Sequence, residues 1–122
     1  MYLSNLWRKL TSRPYRNAFV AEQLLQGIPF QIRVLRNKRG WSQAQLATAS
    51  GLPQQVIARS EDPDDGRLTF NIVLKIANGL DMAFVGRFVS FGALVDYFEN
   101  ELSEEAVQHI PTFAEEEDQL RI

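Results

Sequence analysis

Apolar residues recur along most of this chain at the three-to-four spacing of a helix buried on one side. Tyr15, Ala18, Phe19 and the run from Glu22 to Leu25 follow the turn around Ser12, Arg13 and Pro14, which predicts one or two short helices over residues 2–26. Gly27 reads as their C-cap. Pro29 then opens a new helix on which Ile28, Ile32 and Leu35 share a face, and Gly40 ends it. Ser42 suits the N-cap of a helix over Gln43–Ser50 that stops at Gly51, and Pro53 precedes another over Gln54–Ser60. Asp62, Pro63, Asp64, Asp65 and Gly66 break that one. Thr69 caps a further helix carrying Phe70, Val73, Ile76, Ala77 and Leu80.

The period then changes. Residues 82–91 are rich in Phe and Val, which predicts a short strand, and residues 93–100 predict a short helix. Phe84, Val85, Phe88 and Val89 make both faces of that strand apolar, and the rest of the chain offers no second strand to pair with it. A partner strand from a second copy is therefore expected, with these four residues forming a homodimer contact. Four segments result: an N-terminal helical arm over 1–27, a central domain over 28–81, a strand and helix for dimerisation over 82–100, and an acidic C-terminal tail over 101–122.

Charge sharpens this division. The net charge is −2, but residues 1–59 carry nine Lys/Arg against the single acid Glu22, while residues 60–122 carry four Lys/Arg against fourteen acids. Such an asymmetry predicts a basic working surface and an acidic region with another task, because screening at physiological salt confines each to about 8 Å. The chain has no cysteine and one histidine, His109. Disulfides, zinc–cysteine sites, thiol catalysis and histidine triads are thereby excluded, and the expectation is no metal, no cofactor and no enzymatic activity. No apolar run approaches the roughly eighteen residues that span a bilayer, and Arg8 and Lys9 stand where a signal peptide has its apolar stretch. A cytoplasmic protein without a membrane partner is expected.

The most informative window runs from Ser42 to Arg59. Small Ala47, a left-handed turn at Gly51 and the aliphatics Leu46, Leu52 and Ile57 ask for two short helices crossing closely at a steep angle. The second helix then projects Gln54, Gln55, Ala58 and Arg59 outward. Amides bond adenine bidentately and a guanidinium bonds guanine, so this face suits base edges in a major groove.

Residues 28–80 resemble the helix-turn-helix domain of the lambdoid phage repressor and Cro class, the Xre family; Gln43, Leu46, Ala47, Gly51, Gln54, Gln55 and Ile57 carry the likeness. The resemblance implies a mainly α fold, a lambda-repressor-like five-helix domain to which the short β-strand and a C-terminal helix are appended. It implies a dimeric repressor that binds double-stranded DNA, with Gln54, Gln55 and Arg59 reading bases. Gln43 and Arg67 would touch the backbone, joined by Lys38 and Arg39, and Arg36 would form a buried ion pair with Glu61. Two positions depart from the family pattern. Ser60 replaces a large apolar residue, and Pro53 replaces a hydroxyl-bearing N-cap. A rival reading is an antitoxin or regulatory protein that masks a toxin or other protein partner through its acidic half.

Overall fold

The computed structural model describes residues 2–100 and 103–120, which form helices and connecting loops. The order is α1 (Tyr2–Leu10), α2 (Arg13–Lys38), α3 (Gln43–Ser50), α4 (Gln54–Ser60), α5 (Phe70–Gly79), α6 (Phe91–Asn100), α7 (Glu104–Gln108) and α8 (Phe113–Leu120). None of these is long and apolar enough to cross a membrane.

Ser12 opens α2 by accepting a hydrogen bond from the Tyr15 N–H at 3.4 Å, and Pro14 occupies its first turn. The expected break at Gly27 and Pro29 does not occur: α2 runs through both for 26 residues, about 39 Å at 1.5 Å per residue. An interior proline forfeits one backbone bond and costs about 3 kcal/mol. Burial of Pro29 itself, with Ile32, Val34 and Leu35 one to two turns on, offsets that cost.

Two apolar clusters hang on this helix. The larger joins Ile32, Val34 and Leu35 of α2 to Leu46 and Ala47 of α3, Ile57 of α4, Ile76 of α5, Leu80 and Val107 of α7. The smaller joins Leu6 and Leu10 of α1 to Val95 of α6, with Phe19 and Phe91 against them. Between α3 and α5 the backbones nearly touch. A Cβ on Gly79 would come within 2.5 Å of the Ser50 Oγ and 3.0 Å of the Ala49 carbonyl carbon, so glycine is required there.

The predicted strand is absent. Residues 82–90 have no regular secondary structure, and the described residues contain no strand. Phe and Val favour a strand only where a neighbouring edge takes up the ladder, and within one copy there is none. Phe84, Val85, Phe88 and Val89 consequently lie exposed on an irregular segment, Phe88 fully so. The acidic C-terminal region divides in two. Val107 of α7 is 1% exposed within the larger cluster, whereas α8 buries no residue. Asp81, in the left-handed region at φ 58°, tethers α8: its carbonyl accepts from the Phe113 N–H at 3.0 Å and its carboxylate from the Ala114 N–H at 3.1 Å.

Candidate nucleic-acid interface

The geometry begins with caps. Ser42 and Gln45 form a reciprocal pair at the start of α3: the Ser42 Oγ accepts from the Gln45 N–H at 3.1 Å, and the Ser42 N–H donates to the Gln45 Oε1 at 2.7 Å. Gly51 then turns the chain at φ 67°, and the Leu52 N–H closes on the Ala47 carbonyl at 3.0 Å. Pro53 occupies the N-cap of α4 with no side-chain bond to the helix.

From that turn α4 is held by its inner side. Ile57 is fully buried and Ser60 is 3% exposed, its hydroxyl donating to the Val56 carbonyl one turn back at 2.6 Å. Gln54, Gln55, Ala58 and Arg59 are exposed. The helix therefore offers two amides and a guanidinium to solvent from a rigid base.

The far end of α4 is clamped by charge. Arg36 on α2 donates through Nε to the Glu61 Oε2 at 2.5 Å and through Nη2 to the Oε1 at 2.9 Å, while its Nη1 reaches the Trp41 carbonyl at 2.8 Å. The two side chains are 14% and 5% exposed. The hydrogen bonds that Arg36 donates to Glu61, opposed by burial and reinforced by the carboxylate charge, raise the Arg36 pKa above the ordinary arginine value. Gln43 joins the same carboxylate, donating Nε2 to Oε1 at 3.3 Å. One buried carboxylate thus ties the end of α2, the start of α3 and the end of α4.

The other expected backbone contacts are placed differently. Lys38 is exposed. Arg39 donates to the Leu80 carbonyl and lies over the Trp41 ring, 4.8 Å from its centroid. Arg67 is 65% exposed and paired with Asp65. Its Nε donates to the Asp65 Oδ1 at 2.8 Å, its Nη2 to the Oδ2 at 2.7 Å and its backbone N–H to the Oδ1 at 3.2 Å. The bond from Arg67 holds the Asp65 carboxyl below the usual carboxylate range, and the Arg59 charge contributes in the same direction. Sequence reading missed Asp65. Its signal was an acid two residues ahead of an arginine across Gly66, which takes φ 69°.

Among the described residues no group of His, Asp and Glu is arranged to hold a metal ion. Residues 32–84 match the family model described as Helix-turn-helix, a span that starts inside α2 and takes in α3, α4 and α5 whole. No curated protein and no solved structure matches the chain.

Proposed function

We propose that this chain is a dimeric, sequence-specific repressor of the Cro/C1 helix-turn-helix class acting in the cytoplasm, a reading that starts from the helix-turn-helix match over residues 32–84. One observation carries the reading: α4 is pinned from behind by Ile57 and the Arg36–Glu61 pair while Gln54, Gln55 and Arg59 stay exposed. Those three side chains bond base edges in the major groove. Gln43, Lys38, Arg39 and Arg67 hold phosphates on either side, which fixes register without reading sequence. Occupancy of the operator blocks transcription.

The exposed residues Phe84, Val85, Phe88 and Val89 support the homodimer, since burying them between two copies removes four apolar side chains from water. A two-fold pair sets its recognition helices about 34 Å apart, one turn of DNA. A second reading, an antitoxin or regulator that masks a protein partner through its C-terminal half, draws support from α8, where Phe113 and Leu120 stand exposed among acids. Co-purification of a small basic protein that releases on substitution of Phe113 would favour it.

A gel-shift series over variants of the protein's own upstream region tests the main reading. Arg59→Ala or Gln55→Ala is expected to cost about 1–3 kcal/mol and to relax preference at one or two base pairs. Arg67→Ala is expected to weaken all sequences alike and to lower the salt slope by about one. If Arg59→Ala and Gln55→Ala bind every variant as the parent does, α4 is not the reader.

A further inference from the structure

The Asp65–Arg67 fork has a second edge. A guanidinium presents two bidentate faces, one formed by Nε and Nη2 and one by Nη1 and Nη2. Asp65 occupies the first, at 2.8 and 2.7 Å, and among the described residues no hydrogen bond is made to the second. The Asp65 side chain is itself only 11% exposed, whereas that of Arg67 is 65% exposed. It lies in a small cleft between the end of α4 and the following loop, lined also by Val56, Arg59 and Ser60. The carboxylate is anchored and the guanidinium projects from it, beside the helix that carries Arg59.

We propose that Asp65 is a positioning residue for DNA: it holds the Arg67 guanidinium with its outer edge turned to the solvent, ready to take a backbone phosphate bidentately. The inference rests on the DNA-binding reading above and assigns to Asp65 a part in it. A long, exposed arginine loses rotamer freedom when it binds. Two guanidinium bonds to one carboxylate remove that freedom beforehand, while the Arg67 backbone N–H holds the carboxylate itself in place, so less is lost at the phosphate. The carboxylate also repels the same phosphate, so positioning and charge have opposite signs at this residue. Geometry favours positioning, because the acid sits behind the guanidinium and leaves its outer edge open.

The opposed signs make the test direct. Affinity of the full chain for a mixed-sequence DNA duplex is measured against salt for the parent, D65A, D65N, R67A and the double variant. Simple removal of a negative charge would tighten binding; positioning predicts that D65A weakens it about fivefold at 0.15 M salt, the worth of one phosphate contact, and lowers the salt slope by about one. D65N keeps an acceptor for the Arg67 backbone N–H, and with it the turn, but loses the charged fork; it is expected to weaken binding in the same direction. In the R67A background the D65A change should tighten binding, since the carboxylate then only repels. D65A binding as well as the parent or better overturns the proposal, as does a loss in D65A that D65N does not share, which would locate the effect in the turn. In both cases the parent still binds DNA and the reading of α4 stands. A parent that binds no duplex removes both.

Discussion

Glu61 receives three side-chain hydrogen bonds, two from Arg36 and one from Gln43, at a point where almost no water reaches. Removing Arg36 would leave that carboxylate buried with a single weak amide partner, and would leave the Trp41 carbonyl without its guanidinium donor. Breaking one side of a buried pair costs about 3–5 kcal/mol for this reason. Urea unfolding of Arg36→Ala should show a loss of that size; a variant as stable as the parent would mean that solvent reaches the site. The pairing of Arg36 with Glu61 was legible only through the resemblance, which implies an ion pair at those two positions; spacing and capping by themselves do not join residues 25 apart. The fork at Asp65 was not legible. Acid–arginine pairs two residues apart are common in polar loops, and their geometry depends on a left-handed turn that composition alone does not reveal.

Among the helices, those with explicit punctuation were readable and those governed by packing were not. Ser42, Gly51 and Thr69 mark the ends of α3 and α5 through bonds that depend on neighbours within a few residues. The continuity of α2 depends instead on what Pro29 and the residues beyond it bury. The same helix supplies a prediction. Gly27 is in its middle, and a Cβ there would meet nothing within 4 Å. Gly27→Ala is therefore expected to raise stability by roughly 0.5–1 kcal/mol, read as a higher melting temperature, by removing backbone freedom from the unfolded chain. A lower melting temperature would show that the mid-section of α2 needs the glycine for a close approach absent from this structure. The strand expected over 82–91 failed for the converse reason: β propensity is expressed only with a partner edge, and one copy of the chain has none to offer.

At the scale of the molecule, the proposed homodimer rests on four exposed apolar residues carried by one irregular segment. Replacing Val85 and Phe88 together by serine should shift the protein toward monomer in light scattering at micromolar concentration. The melting temperature of the monomer should hardly change, because neither side chain contributes to either apolar cluster. If the parent is itself monomeric under those conditions, the segment is not a dimer contact. The fourteen acids of the second half also read differently once folded: α8 is exposed throughout, but α7 inserts Val107 into the core, so the C-terminal region is not a uniform solvated tail.

Val107 has a consequence for the order in which the chain assembles. Leu46, Ile57 and Ile76 meet one another across short stretches of sequence, whereas Val107 must return from near the C-terminus to α2. Closing the larger loop comes at a greater entropic cost and contributes late. We expect Val107→Ala, which removes part of a burial worth about 1.5–3 kcal/mol, to speed unfolding while leaving the folding rate nearly unchanged. Ile57→Val, inside the local cluster, should slow folding in proportion to its loss of stability. Equal effects on the folding rate would mean that both sites close in one step. On a ribosome, α3, α4 and α5 would then be assembled before α7 has emerged, and α7 would slow their unfolding without being needed to form them.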